Sequence, residues 1–363
     1  MRILYLVGRE VSYPRNDVIL RAFHRFADVD IVAIQHKPTS LFWNSVSISI
    51  KASPKLLSGK FDLIFVGFYG QIILLLTCYL ARHPILFDAF LSTYDTLTAD
   101  RGIISANSIL GRLAFFLDRK SCQCASSIIL DTAQHIPYFT NTFNISSEKF
   151  YSVPVGCNEE IFFPRQSTSE KIPSRVLYYN SYLPLHGVET VVEAAQILSK
   201  KPIIFRLIGR GQTYEKIVKL AEQYKLKNIE FFPQIPLVDL PDEIASADIC
   251  LGGPFGLSEK AHRVIPGKIY QILAMARPMI AGNTPANSDL LRHGETVLLT
   301  PPGDASALAD AIMELHQDSS LREQIGSSGY QLYREKCSEA IITDMLRLIT
   351  TNLIENKPAS MNV

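Results

Sequence analysis

The amino-acid sequence predicts an α/β protein with two doubly wound parallel sheets, and three observations support this. Short β-rich runs alternate with helical stretches, which is typical of parallel strands joined by helical crossovers. A polar, proline-bounded connector at 156–174 interrupts the alternation, which then starts again. The length of 363 residues is also what two domains require.

Six strands are predicted in the first half. The first is the apolar run after Met1, which we interpret as a strand and not as a signal peptide because it has no small-residue cleavage site. The six are Ile3–Val7, Asp30–Ile34, Asp62–Val66, Pro84–Phe87, Ser127–Leu130 and Phe150–Val153. The segments between them with helix or loop character are Val18–Phe26, Gln71–Ala81, Ser108–Ala125 and Thr132–Thr140.

The second half repeats this pattern. Its predicted strands are Val176–Tyr179, Ile203–Ile208, Ile229–Phe232, Ile249–Leu251, Met279–Ala281 and Val297–Leu299. Apolar residues from Val188 to Leu198 share one helical face. The predicted organisation is a first domain at 1–155, a linker at 156–174, a second domain at 175–337, a helix at 338–354 and a polar tail at 355–363. Ligands of such sheets bind at the carboxyl ends of the strands, so a cleft between the domains is the expected site.

Composition excludes several classes of protein. Hydrophobic residues make up 47% and charged residues 20%, which excludes a disordered or coiled-coil chain. Lys+Arg total 36 against 35 for Asp+Glu, so a nucleic-acid partner is not expected. The six cysteines lack zinc-site spacing, which predicts no metal and a reducing, cytoplasmic location.

The most apolar stretch is Ile72–Ala81, about half the roughly 20 residues that a membrane-spanning helix needs. A helix buried in the core is the favoured interpretation. The alternative is a surface helix that dips into a bilayer interface, which would place the protein peripherally at the inner membrane surface.

Polar and glycine-rich loops follow the predicted strands of the second half. A helix begins near Gly187, and its free N–H groups suit a phosphate, with Ser181 and His186 in the loop before it. Taken alone, this turn favours the alternative, an ordinary strand-to-helix turn with an exposed histidine. Gly209 and Gly211 form a tight turn after the next strand. This turn lacks the third glycine of a dinucleotide fingerprint, so nicotinamide is not the expected ligand.

A cluster of cations follows the strand Ile249–Leu251. A glycine-rich loop leads into Lys260, His262, Arg263 and Lys268, an arrangement that suits a diphosphate; a solvated basic loop is the alternative. Gln271 lies three residues after Lys268 and therefore shares its helix face, from which the two side chains reach a phosphate and a sugar hydroxyl together.

These blocks resemble, in order over about 130 residues, the nucleotide-sugar-binding domain of GT-B glycosyltransferases of the family 4-like group. They are the "KG" loop at 184–187, the "iGxG" turn at 208–211, the segment 240–248 and the "PxK" block at 266–281. The resemblance implies two Rossmann-like domains that face a cleft and a final helix that packs back toward the first domain. It also implies a nucleotide-sugar donor and retention of anomeric configuration.

The sequence departs from the family pattern at several donor-site positions. Ser181 and His186 stand where the family has an Arg and a Lys that contact the diphosphate. Arg263 and Gln271 stand where it has a pair of Glu residues, of which the second holds the donor ribose. Glu259 is the nearest carboxylate that would replace the first Glu.

The first half is then expected to bind the acceptor. Asp88, Asp95 and His135 lie at predicted strand ends, where they would be close to the reacting sugar, although strand-end Asp and His residues often cap helices instead. The candidate catalytic residues are therefore Asp88, His135 and Glu259.

The sequence thus predicts a metal-independent glycosyltransferase of polysaccharide biosynthesis. It would use a UDP- or GDP-sugar as substrate, no cofactor, and a glycan, lipid-linked or small-molecule acceptor. A nucleotide-sugar epimerase on the same fold and a catalytically inactive sugar-nucleotide-binding protein are the alternatives.

Overall fold

A computed structural model describes residues 1–34, 40–166 and 174–355. The chain divides into two compact units. Unit 1 comprises Met1–Gly156 with Glu339–Val363, and unit 2 comprises Cys157–Ser338. The central part of the predicted linker, 167–173, and nearly all of the predicted tail, 356–363, lie outside the described residues.

Unit 1 is built on a parallel six-stranded sheet with the order β2-β1-β3-β4-β5-β6. This order places β1 between β2 and β3, so the chain adds strands first on one side of β1 and then on the other. The strands are β1 (Arg2–Glu10), β2 (Asp28–Ile34), β3 (Leu63–Val66), β4 (Ile85–Phe90), β5 (Ser127–Leu130) and β6 (Phe150–Ser152).

Helices cover both faces of this sheet. The helices are α1 (Pro14–His24), α2 (Leu41–Leu57), α3 (Gln71–Thr77), α4 (Thr93–Asp95), α5 (Ile109–Cys124), α6 (His135–Phe143) and α14 (Glu339–Glu355). Apolar residues of α1 and α14 pack on one face, and those of α2, α3, α5 and α6 pack on the other. The final helix of the chain therefore belongs to unit 1.

Unit 2 has a second parallel sheet, with the order β12-β11-β10-β7-β8-β9. Its strands are β7 (Ser174–Tyr179), β8 (Ile203–Ile208), β9 (Ile229–Phe232), β10 (Ile249–Leu251), β11 (Met279–Gly282) and β12 (Leu298–Thr300). Its helices are α7 (Val188–Ile197), α8 (Tyr214–Gln223), α9 (Leu240–Ala245), α10 (Gly267–Ala274), α11 (Pro285–Leu290), α12 (Ala305–Gln317) and α13 (Ser319–Lys336). The apolar face of α7 from Val188 to Leu198 packs into its core, as predicted.

The predicted α/β class with two doubly wound sheets is confirmed, and each of the twelve predicted strands overlaps a strand of the structure. Two long helices, α2 and α13, were not predicted. The α2 sequence Ser45-Val46-Ser47-Ile48-Ser49-Ile50 alternates polar and apolar residues with the period of a strand. Within the helix, the Ser49 hydroxyl donates to the Ser45 carbonyl at 2.8 Å, which satisfies its hydrogen-bonding need locally.

The apolar segment Ile72–Ala81 forms most of α3, which ends at Thr77. Ile73 and Leu74 are fully buried, as the favoured interpretation expected, whereas Leu76 is half exposed. None of the helices in the described part of the chain has both the length and the apolar character that a membrane crossing requires.

A buried ion pair joins three parts of unit 1. The Arg15 guanidinium at the start of α1 donates to both carboxylate oxygens of Asp88 on β4, at 3.0 to 3.3 Å. It also donates to the carbonyl of Val153, after β6, at 2.7 Å. Both charged side chains are fully buried. Burial raises the pKa of the Asp88 carboxyl, and the adjacent guanidinium opposes this shift.

We expect Asp88→Asn to destabilise unit 1 by about 3–5 kcal/mol, because the change leaves a buried guanidinium without its counter-charge. Urea unfolding followed by circular dichroism measures this loss. The control is Asp344→Asn, because Asp344 forms an exposed ion pair with Arg347, for which we expect a change within about 1 kcal/mol. Equal stability of Asp88→Asn and the native chain would contradict a structural role for the pair.

Candidate functional site

The loops after β7 and β10 are in direct backbone contact in unit 2. Gly187, which precedes α7, has a left-handed φ of +59°, and a Cβ on it would lie 2.2 Å from the carbonyl carbon of Phe255. The Gly256 N–H donates to the Leu185 carbonyl at 3.1 Å. The space that Gly187 leaves is therefore filled by the protein's own backbone, not by a ligand.

Glycines also allow close backbone contact at the turn after β8. A Cβ on Gly209 would lie 1.9 Å from the Asn180 carbonyl oxygen, and one on Gly211 would lie 1.8 Å from that of Ser181. Only glycine permits these approaches. The two glycines thus hold the loop that follows β7 against the turn that follows β8.

His186 is buried between these loops and is uncharged near neutral pH. Burial lowers its pKa well below 6.5, and the nearby positive charges of Lys268 and Lys260 lower it further. Its Nε2 lies 3.2 Å from the Ser181 hydroxyl, while its Nδ1 is buried and forms no hydrogen bond with the described residues. His186 can therefore exchange hydrogen bonds with a ligand, but it does not replace the charge of a lysine.

Lys268, in the first turn of α10, has a buried ammonium group. Its Nζ lies 4.3 Å from the ring centroid of Tyr178, and the described part of the chain offers it no hydrogen-bond acceptor. The Tyr178 hydroxyl in turn donates to the carbonyl of His186 at 2.6 Å. Burial lowers the pKa of Lys268 from 10.5 to about 7. An amine buried in this way gains most from an anionic partner.

The other predicted binding residues of this region differ in exposure. Lys260 is buried and acts electrostatically on His186, and Arg263 is half-buried in the same turn. Gln271 on α10 is buried, and its Oε1 accepts a hydrogen bond from the Tyr179 hydroxyl at 3.0 Å. Glu259 is exposed. The structure thus brings His186, Lys260 and Lys268 together.

The candidate residues of unit 1 are engaged within the fold. Asp88 is fully buried in its ion pair with Arg15. His135, at the start of α6, is 1% exposed, with its Nε2 3.4 Å from a carboxylate oxygen of Asp131. Asp95 is also buried. Catalysis by Asp88 or His135 stays a prediction, because each already has a partner inside unit 1.

Two aromatic features of the structure were not predicted from the sequence. The first is the ring of Tyr178, which lies against the Lys268 ammonium. Its position near the end of a predicted strand is the one sequence feature that could have indicated this contact. At the carboxyl edge of the unit 1 sheet, the Arg9 guanidinium lies over the Tyr13 ring at 4.2 Å, and Tyr13 contacts Phe68 with ring centroids 5.4 Å apart.

Among the described residues, no group of three or more His, Cys, Asp or Glu side chains is placed to hold a metal ion. Asp28 and Asp30 form an Asp-x-Asp sequence, but they lie at the amino end of β2. Asp30 pairs there with Lys55 at 2.5 Å.

Comparison with known proteins is consistent with this geometry. Residues 159–332, within unit 2, match the family model of glycosyl transferases group 1. A colanic acid biosynthesis glycosyl transferase described as putative, WcaI of Escherichia coli K12, is 33% identical over 103 residues. That match covers 28% of this chain and 24% of the relative, so it spans about a quarter of the relative's length.

Two solved structures share the fold of the chain at low identity. Sucrose-phosphate synthase from Thermosynechococcus elongatus has a TM-score of 0.73 and 17% identity, over 98% of this chain and 100% of that one. Anabaena HepE in complex with UDP has a TM-score of 0.71 and 15% identity, over 97% and 100% of the two chains. Residues 159–332 are thus similar to the group 1 glycosyl transferases, and the two sheets of the chain have the GT-B fold of the solved structures.

Proposed function

We propose that the chain transfers a sugar from a nucleoside diphosphate sugar to an acceptor, and that unit 2 holds the donor. The buried Lys268 ammonium carries this proposal, because it has no hydrogen-bond acceptor among the described residues and lies near loops that glycines hold in close contact. The crystal structure of the related HepE contains UDP, which supports a nucleotide ligand for this fold.

In the proposed reaction the bond between the anomeric carbon and the diphosphate oxygen breaks, and a new bond forms to the acceptor oxygen. Negative charge develops on the leaving diphosphate. Preorganised donors stabilise such charge most effectively where water is excluded. Here they are the Lys268 ammonium, Lys260, and the free N–H groups at the start of α7. His186 contributes a hydrogen bond and no charge.

The acceptor hydroxyl must lose its proton as the new bond forms. Of the three candidate catalytic residues, Glu259 is the one that is exposed, whereas Asp88 and His135 are buried against their own partners. Glu259 is therefore our candidate for proton acceptance. Retention of anomeric configuration belongs to this proposal as an implication of the family resemblance, and independence from metal ions belongs to it as a prediction.

We propose a sugar-containing acceptor, a glycan or a glycan precursor, for two reasons. The related WcaI is named for colanic acid biosynthesis. In addition, the partly exposed Tyr13 and Tyr69 lie beside Arg9 at the carboxyl edge of the unit 1 sheet, and aromatic faces beside a polar group suit a sugar ring. A cytoplasmic location stays a prediction.

A second candidate function is nucleotide-sugar binding without transfer. The neutral state of His186, where the family has a lysine, favours it because the diphosphate then loses one positive partner. Screening UDP- and GDP-sugars for binding, hydrolysis and transfer to glycan acceptors separates the two. Transfer supports the enzyme, whereas tight binding without turnover supports the alternative.

We expect Lys268→Ala to weaken nucleoside diphosphate binding about tenfold to a hundredfold, because a charge-assisted bond contributes roughly 1.5–3 kcal/mol. Calorimetric titration of UDP, GDP and ADP measures the loss. Lys216→Ala is the matched control, since Lys216 is an exposed lysine of unit 2 paired with Glu189 at 3.2 Å. Unchanged affinity in Lys268→Ala, with the fold intact by circular dichroism, would place the donor elsewhere.

The pKa of Lys268 also predicts proton uptake on binding. At pH 7 the free protein has the amine about half protonated, since burial lowers its pKa to about 7. A bound diphosphate favours the charged form and raises this pKa, so binding should take up about half a proton at pH 7. Affinity should fall as the pH rises above 7.

Calorimetry in buffers of different ionisation enthalpy measures this uptake. Lys268→Arg is the control, because arginine stays protonated throughout this range and the nucleotide's own proton exchange remains. Identical proton uptake by the native chain and by Lys268→Arg would show that Lys268 does not titrate on binding.

A further inference from the structure

The helix α5 in unit 1 has an inverted amphipathic pattern. Its buried residues are small or polar, namely Gly111, Ala114, Asp118, Ser121 and Cys122. Its exposed residues at helical spacing include Ile109, Leu113 and Phe116, which are 86%, 50% and 54% exposed. A helix that lies on a protein surface in water normally has the opposite arrangement.

The polar side chains on the buried side of α5 form hydrogen bonds with other parts of unit 1. Turning the helix to bury its apolar side chains would break these bonds. The Asp118 carboxylate accepts from the Ser92 hydroxyl at 2.7 Å and from the Tyr94 N–H at 2.9 Å. The Ser121 hydroxyl donates to the carbonyl of Gln71 on α3 at 3.2 Å. These contacts fix the orientation of α5 and thereby leave its large apolar side chains outside.

The helix α2 exposes a second apolar stripe on the same side of the sheet. Trp43, Ile50 and Leu57 recur every seven residues and are 68%, 67% and 50% exposed. The helix α3 lies between α2 and α5 and contacts both. Because all three helices pack on one face of the sheet, their outer sides form one layer.

The charges of this layer are positive. Lys51 on α2 and Arg112 and Arg119 on α5 are exposed, and no ion pair involves them in the described part of the chain. Neither α2 nor α3 contains an acidic residue, and the one carboxylate of α5, Asp118, is 2% exposed. Exposed apolar side chains among unopposed cations complement a surface that is apolar within and anionic at its boundary.

We propose that the outer sides of α2 and α5 dock this protein onto an anionic lipid bilayer. The docking surface consists of Trp43, Ile50, Leu57, Ile109, Leu113 and Phe116 with the three cations. It differs from the Ile72–Ala81 segment, of which Ile73, Leu74 and Thr77 are buried. The proposal does not depend on sugar transfer and is tested without it.

Trp43 provides a direct probe, since it is the single tryptophan of the chain. The purified full chain is titrated with vesicles of phosphatidylcholine alone and of phosphatidylcholine with phosphatidylglycerol. With the anionic vesicles, the emission of Trp43 should move to shorter wavelength, and lipids brominated on the acyl chain should quench it. Raising the salt concentration should weaken the binding, because it screens the cations.

The test variant combines Ile109→Gln, Leu113→Gln and Phe116→Gln. It should lower the vesicle partition coefficient by about tenfold or more, because three apolar side chains no longer leave water. The matched control combines Ile197→Gln, Val238→Gln and Leu348→Gln, three changes at exposed positions outside this layer. It should bind like the native chain.

Three results would overturn the proposal. The first is the absence of an emission shift with anionic vesicles, and the second is a shift that the test variant retains in full. The third is a lipid-free dimer, seen by analytical ultracentrifugation, that the test variant dissociates while vesicle binding is absent. That result would assign the surface to a second copy of this chain.

Discussion

Close backbone contact at glycines holds the strand-end loops of unit 2 together, and the geometry of the proposed donor site depends on it. Gly187 and Gly256 bring the loops after β7 and β10 together, and Gly209 and Gly211 do the same for the loops after β7 and β8. A methyl group at Gly209 would overlap a carbonyl oxygen at 1.9 Å. These contacts hold the loops in place, so that the His186 carbonyl accepts a hydrogen bond from the Tyr178 hydroxyl.

Lys268 is held in this rigid frame at a cost to stability. Burial lowers its pKa from 10.5 to about 7, so the unfolded chain binds more protons than the folded chain between these values. The free energy of unfolding therefore increases with pH across this window, and the full cost is present below about pH 7. A bound anion removes this cost, which couples ligand binding to the stability of unit 2.

The sequence was sufficient for the fold because alternating strands and helices carry a strong periodic signal. One exception is α2, in which serines alternate with apolar residues, a period that is typical of a strand. The site was less predictable. The sequence does not show that protein backbone fills the space beside Gly187, Gly209 and Gly211. The partner of Asp88 is 73 residues away on another element, and no local pattern connects Arg15 to it. Burial, which makes His186 neutral, is also a tertiary property.

The burial of His186 and Lys268 explains how the charge of this site differs from the pattern that the family resemblance implies. Ser181 and His186 stand at positions where the pattern has an arginine and a lysine, and His186 supplies no charge because two lysines and burial lower its pKa. The positive charge for an anion then depends on Lys268 and Lys260. Because Lys268 itself titrates near pH 7, charge at the site varies with pH, whereas an arginine and an ordinary lysine would keep it constant. If Lys268 holds the diphosphate as proposed, nucleotide affinity therefore depends on pH in the neutral range.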